Sequence, residues 1–275
     1  MRWRTRSLGA GTKSVALQNN KSLGQHWLKD PDVLADIADQ AEIDSNDTVL
    51  EIGPGLGTLT SRLLARAKNV VAVEFDESLA RKLPGQFPGK NLEVVNQDIL
   101  KFNLLSLPAD YKVVANVPYY ITSKIIKLLS ESVNPPSCVV LLIQKEVAER
   151  LAANDGHSVL SIATQVFFEV RLGQVVPAAL FTPPPKVDSQ VVILSRRKTP
   201  QVQPADQSEF FRLVKAGFSS RRKKLRSSLA GGLHLEKAVV EGLLTDAGVS
   251  PNARAEDLSV TSWLTLLSKY AIIKR

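Results

Sequence analysis

The sequence predicts an α/β chain, a doubly wound sheet with a small C-terminal α-helical domain, on three observations. From residue 47 onward, apolar runs of strand length alternate with amphipathic stretches. A polar segment with two prolines, Arg196 to Pro204, then breaks the periodicity. Beyond it, apolar residues recur at helical spacing.

In chain order, residues 1–20 read as a basic flexible arm. Arg2, Arg4 and Arg6 are followed by no apolar stretch of the kind a secretory signal needs, although an Arg-rich, acid-free start also suits an organelle transit peptide. Asp30 as cap and Pro31 at the first helical position open a helix whose apolar face is Val33, Leu34, Ile37, Ala38 and Ala41. Thr48 to Ile52, Val70 to Glu74, Leu92 to Val95, Val113 to Ala115 and Val139 to Ile143 read as strands. Leu59 to Ala67, Ser78 to Leu83 and Ser123 to Leu129 are helical candidates between them, so the sheet is expected to be mainly parallel. Phe167 to Val176 and Gln190 to Leu194 complete it. Phe210, Phe211 and Val214, then Leu225 and Leu229, then Val239, Val240, Leu243 and Leu244, then Trp263, Leu264, Leu266 and Leu267 have helical spacing. The expected division is residues 1–20, 21–198 and 199–275.

The 275 residues are 44% hydrophobic and 23% charged, an ordinary globular balance, and no run approaches the ~18 apolar residues of a membrane span. The lone cysteine, Cys138, sits in an apolar run as a buried thiol, which excludes an internal disulfide and fits a reducing, cytoplasmic setting. The net charge of +8 is unevenly spread. Residues 1–29 carry six Lys/Arg and no Asp/Glu, residues 30–195 hold 14 basic and 20 acidic side chains, and residues 196–275 hold 15 and 7. An acidic middle between basic ends suits a polyanion gripped at the flanks and presented to a central site.

The strand ends carry the chemistry. Glu51-Ile52-Gly53-Pro54-Gly55-Leu56-Gly57 closes the first strand, with glycines that let backbone approach a ligand. Its Gly-x-Gly-x-Gly spacing differs from the dinucleotide fingerprint, and no Gly-Lys-Ser/Thr follows to make a P-loop. Glu74 ends the next strand, where a carboxylate can accept both hydroxyls of a ribose. Asp98 follows the third and can accept from an adenine amino group. Asn116-Val117-Pro118-Tyr119 follows the fourth: two acceptors and an aromatic plate, suited to an exocyclic amine on a flat ring. His157 and His234 have no ligand-like neighbours, and no metal site is expected.

This series resembles the S-adenosylmethionine-dependent methyltransferases that modify amino groups. Further segments extend the likeness from about Lys21 almost to the C-terminus: Ser22 to Leu28, Gln144 to Leu151, Phe181-Thr182-Pro183-Pro184-Pro185-Lys186-Val187-Asp188-Ser189, Arg221 to Arg226 and Arg254 to Ser259. Together they resemble the ribosomal RNA adenine N6,N6-dimethyltransferases, and the Phe181 to Ser189 run and the Arg254 tail favour the small-subunit, kasugamycin-sensitivity branch over the macrolide-resistance branch. Trp27 stands where Phe is commoner in that family, His26 where Asn is frequent and Val117 where Leu is usual.

The resemblance implies a Rossmann-like methyltransferase sheet. It implies two methyl transfers from S-adenosyl-L-methionine to N6 of each of two adjacent adenines in the 3′-terminal hairpin of small-subunit (16S) rRNA. His26, Leu28, Gly53, Gly55, Glu74, Asp98 and Asn116 would enclose the cofactor. The Asn116 side-chain carbonyl and the Pro118 backbone carbonyl would hold the amine, and Tyr119 and Phe181 would sandwich the base. Arg221, Arg222, Lys223 and Lys224, expected on a helix, would meet phosphates. The implied partners are small-subunit rRNA and the assembling small subunit, met by a monomer away from membranes. The residues also suit methylation of another RNA, of DNA or of a large-subunit rRNA adenine, or a ribosome-assembly or transcription factor that acts by binding alone.

Overall fold

The computed structural model describes residues 25–154, 158–220 and 222–273. The basic arm, Ser22 to Gly24, His157 and Arg221 lie outside the described residues. A two-residue strand, β1 (Trp27–Leu28), precedes helix α1 (Pro31–Asp39). Asp30 caps α1 as the sequence predicts: its Oδ1 accepts from the N–H groups of Asp32 and Val33 at 3.1 and 3.0 Å. Such a cap contributes about 1 kcal/mol.

The predicted runs form β2 (Thr48–Ile52), β3 (Asn69–Glu74), β4 (Leu92–Asn96), β5 (Lys112–Asn116) and β6 (Cys138–Gln144), with α2 (Thr58–Leu63), α3 (Glu77–Lys82) and α4 (Thr122–Ser130) between them. Helices α5 (Lys145–Ala152) and α6 (Val159–Phe167) follow, then strands β7 (Phe168–Val176), β8 (Phe181–Thr182) and β9 (Ser189–Arg196), then helices α7 (Gln207–Phe218), α8 (Leu225–Leu233), α9 (Lys237–Asp246) and α10 (Val260–Ile273). The large sheet runs β4-β3-β2-β5-β6-β9-β7. Its first five strands are parallel, and β9 returns antiparallel between β6 and β7. β1 and β8 pair separately, Trp27 opposite Thr182 and Leu28 opposite Phe181.

Period-two alternation divides the central strands between two cores. Leu50, Val113, Val139 and Leu141 face α4, packing on Ile125, Ile126 and Leu129. Val49, Val114, Val140 and Leu142 face the other way, onto Leu34, Ile37 and Leu63 of α1 and α2. Both faces being covered, these strands read as continuous apolar runs. Each fully buried Val or Leu contributes about 1.5–3 kcal/mol.

The C-terminal helices build their own core around Trp263, and α6 contributes Ile162 and Val166 to it. The segment read as a linker is docked. Val202 is only 2% exposed, Arg197 N–H donates to Phe167 O at 2.9 Å, and Gln201 N–H donates to Val166 O at 3.2 Å. A single Val among polar residues carries no period, so its burial has no sequence signal. No helix among the described residues is long and apolar enough to cross a membrane.

Candidate active site

The strand order reverses between β2 and β5, and in open α/β sheets ligands bind in the crevice this opens at the strands' carboxyl ends. Here the crevice is a cleft of about 300 Å³. His26, Leu28, Gly53, Gly55, Glu74, Asp98, Asn116, Pro118, Tyr119 and Phe181 all line it, so the structure brings these sequence-predicted residues together.

The floor is the glycine turn. Gly53 leaves the sheet at φ +67° and Gly57 enters α2 at φ +79°. At Gly57 the reason is packing, since a Cβ would lie 2.8 Å from Leu83 Cδ1 and 3.0 Å from Phe87 Cε2. At Gly53 a Cβ would meet nothing within 4 Å, so the missing side chain leaves room. Thr58 Oγ1 donates to Leu28 O at 3.1 Å and ties the turn to β1.

Two acids lie beneath and beside this turn. Glu74 Oε2 accepts from Gly55 N–H at 3.0 Å and Oε1 from Asp76 N–H at 2.8 Å, which leaves each oxygen a second lone pair. Burial pushes its carboxyl upward, and these N–H donors offset part of the rise. Glu51 is more extreme. It is 1% exposed, and its Oε2 is buried with no partner among the described residues. Burial pushes it up to about 8, the Thr60 hydroxyl opposing and the Glu74 charge adding to the shift. In the sequence Glu51 is marked only as a strand-closing acid. Its burial depends on how β2 is covered, which no local pattern states.

Asp98 Oδ1 caps the turn after β4 by accepting from Leu100 N–H at 3.0 Å, beside the apolar Ile99 and Leu100 of the wall. At the end of β5, Asn116 Nδ2 donates to His26 O at 3.3 Å, which leaves Oδ1 without a protein donor among the described residues. Pro118 O accepts from Ile121 N–H at 3.2 Å, so this carbonyl offers one remaining lone pair rather than two.

Tyr119 is held from two sides. Its hydroxyl shares a 2.7 Å hydrogen bond with Ser189 Oγ, and its ring stacks on His26 at 6.0 Å and 22°. His26 Nδ1–H in turn donates to Pro183 O at 2.8 Å. Tyr119 and Phe181, the two rings of the expected sandwich, both line the cleft. Phe181 is 3% exposed, packed in the core with α1 and presenting only part of its ring to the cleft. No sequence signal marks Ser189 as the tether or pairs His26 with Tyr119. Both contacts join segments far apart in the chain.

The basic run stands apart from the cleft and corrects one expectation. Lys224 is the extended N-cap of α8 (φ −61°, ψ 147°), so Arg222, Lys223 and Lys224 occupy the turn before the helix, not its face. Apolar helical spacing begins only at Leu225, and the preceding cations have nothing to bury. Lys224 Nζ donates to Asn252 Oδ1 at 2.7 Å and Arg226 pairs with Glu241, whereas the exposed Arg222 and Lys223 side chains meet no partner among the described residues.

A reversed parallel sheet with an antiparallel β9 insertion, a glycine turn and acceptors at successive strand ends define the Rossmann-like methyltransferase class. Residues 16–271 match the family described as "Ribosomal RNA adenine dimethylase", and the chain belongs to that family. The "Ribosomal RNA small subunit methyltransferase A" of Dehalococcoides mccartyi (strain CBDB1) is 41% identical over 264 residues, covering 94% of this chain and 91% of the relative. The protein of the same name from Bacillus mycoides (strain KBAB4) is 41% identical over 260 residues, covering 90% and 89%. Among solved structures, a dimethyladenosine transferase from Plasmodium falciparum aligns with TM-score 0.77 at 30% identity, covering 90% of this chain and 98% of that one. The 23S rRNA methyltransferase ErmE aligns with TM-score 0.74 at 32% identity, covering 88% and 98%.

Proposed function

We propose that this protein transfers methyl groups from S-adenosyl-L-methionine to N6 of two adjacent adenines in the 3′-terminal hairpin of small-subunit rRNA, giving N6,N6-dimethyladenosine. It acts as a cytoplasmic monomer on the assembling small subunit. The observation that carries the reading is the orientation of Asn116. One N–H of its amide is committed to His26 O, which leaves its Oδ1 as an acceptor without a protein donor among the described residues, in the cleft that Tyr119 also lines.

The residues fit the cofactor. The space at Gly53 admits a ligand against the backbone, and the free lone pairs of Glu74 suit ribose hydroxyls. Asp98 beside Ile99 and Leu100 suits an adenine edge, and Glu51, whose Oε2 has no partner among the described residues, suits an ammonium. When bound, the cofactor supplies an electrophilic methyl on a sulfonium. The target amine is a weak nucleophile because its lone pair is delocalised into the ring. Accepting its N–H bonds at Asn116 Oδ1 and Pro118 O aligns it and stabilises the positive charge that grows on nitrogen as the new bond forms. No covalent intermediate on the protein is needed, and the surplus proton leaves to water.

Two substitutions separate cradle from packing. Gly53→Ala is expected to cost about 1–2 kcal/mol of stability for its positive φ and to weaken cofactor binding, whereas Gly57→Ala adds an overpacking cost of about 1–3 kcal/mol to that strain. Denaturant unfolding with titration of S-adenosylmethionine checks both. If Gly53→Ala binds as tightly as the wild type, the cradle assignment is wrong.

Arg222 and Lys223 supply the RNA grip in this reading. Reversing both to Glu is expected to weaken substrate binding and to flatten its salt dependence, by roughly 0.7–0.9 in log–log slope per lost phosphate contact. Affinity unchanged at several salt concentrations would refute the grip.

The function itself is tested by offering labelled S-adenosylmethionine with unmethylated small subunits, large subunits and free rRNA, followed by nucleoside analysis. N6,N6-dimethyladenosine in small-subunit rRNA is expected. Its absence from every reaction refutes the reading, and its appearance only in large-subunit rRNA moves the chain to the macrolide-resistance type.

A further inference from the structure

The doubled tyrosine after Pro118 leaves one ring unused. Tyr119 is tethered to Ser189 and stacked on His26, but Tyr120, at the mouth of the same cleft, is 63% exposed, and neither its hydroxyl nor its ring has a partner among the described residues. The 3₁₀ turn Tyr119–Ile121 has three residues per turn, so successive side chains diverge by about a third of a turn and the two rings cannot bracket one base. The turn runs directly into α4, whose first turn carries Lys124 at the lining of the same cleft. Lys124 is exposed and has no ion pair among the described residues. An exposed aromatic plate with a cation one turn away, at the rim of a cleft that takes a flat base, has the chemistry of a single-strand nucleotide site.

We propose that Tyr120 and Lys124 form a second nucleotide subsite at the cleft mouth, where the base adjoining the target adenine stacks on Tyr120 and the phosphate between the two nucleotides meets Lys124. This rests on the functional reading above and deepens it: the enzyme grips a dinucleotide step, not one extruded base. Neither residue touches the reacting atoms. The subsite acts by holding the RNA strand in line with Asn116.

The test is a protein–RNA double-mutant cycle. Methyl transfer is measured on RNA hairpins, and on small subunits assembled with the same RNA, carrying the target adenine with the neighbouring base either intact or removed, on the 5′ or the 3′ side, using the wild type, Tyr120→Ala and Tyr120→Phe. Removing the base on one of the two sides is expected to lower wild-type kcat/KM by about 5- to 150-fold, the worth of one aromatic stack. Tyr120→Ala is expected to show that loss on intact RNA and no further loss on the abasic RNA, and Tyr120→Phe to behave as wild type. Lys124→Ala is expected to raise KM and reduce its salt dependence while keeping the sensitivity to base removal. Wild-type kcat/KM in Tyr120→Ala, or losses that multiply when the two changes are combined, overturn the subsite and leave the enzymatic reading intact. A wild-type protein that methylates none of these RNAs overturns that reading and the subsite together.

Discussion

Asn116→Ala is expected to lower kcat for methyl transfer by about 10²–10³-fold, the usual cost of removing one preorganised hydrogen-bonding group from a site of charge development. The fold should survive. Asn116 sits at the end of β5, half-buried, and the bond lost from the protein is the 3.3 Å contact with His26 O. Such a bond contributes only about 1 kcal/mol net. Cofactor affinity should fall less than turnover, because the acceptor facing the target amine belongs to the second substrate. Single-turnover transfer, titration of S-adenosylmethionine and thermal unfolding together make the separation: slow chemistry with a nearly unchanged melting temperature is the expected pattern. Asn116→Asp is the sharper variant. A carboxylate can still accept from N6–H, but it cannot donate to His26 O, so it should be free to turn and its activity should stay well below wild type. Activity within fivefold of wild type in Asn116→Ala would mean that the amine is held elsewhere. In cells, a factor that acts by binding alone would keep its effect with Asn116→Ala, whereas an enzyme would lose the dimethylated product.

Much of this site was legible because its residues mark strand ends. Continuous Val and Leu runs show where β2, β3, β4 and β5 finish, and in a parallel sheet those ends share one edge, so Gly53, Glu74, Asp98 and Asn116 had to converge. What was not legible depends on pairing between distant segments. Nothing in Gln190 to Leu194 says that β9 inserts antiparallel between β6 and β7, although that placement brings Ser189 to the Tyr119 hydroxyl. The β1–β8 pair likewise sets Leu28 opposite Phe181 and leaves His26 beside Tyr119. The basic run departs from the expected helical face for a local reason: residues 219–224 carry no apolar period, and Lys224 is extended as the N-cap of α8. Glu51 shows the limit most clearly. Its identity is plain in the glycine motif, but its pKa is a property of the cover laid over β2.

That cover makes Glu51 a pH lever. With its carboxyl pushed up to about 8 by burial, the folded chain holds a proton that the unfolded chain releases in the ordinary carboxylate range. The favourable contribution is therefore fully present below the unfolded pKa and is lost as pH rises toward 8, at about 1.4 kcal/mol per unit and up to roughly 5 kcal/mol in all. Glu51→Gln keeps the shape and removes the titration, so its melting temperature relative to wild type should climb steadily between pH 5 and 8.5. A cationic ligand reverses the preference. An ammonium beside Glu51 favours the carboxylate, so cofactor binding near pH 7 should release close to one proton in the wild type and none from this position in Glu51→Gln. Calorimetric titration in two buffers of different ionisation enthalpy counts that proton directly. Proton release that is equal in both proteins would show that the cofactor's charge lies away from Glu51. A melting-temperature difference that does not change with pH would show instead that Glu51 is ionised in the folded chain, and that an unseen partner already satisfies Oε2.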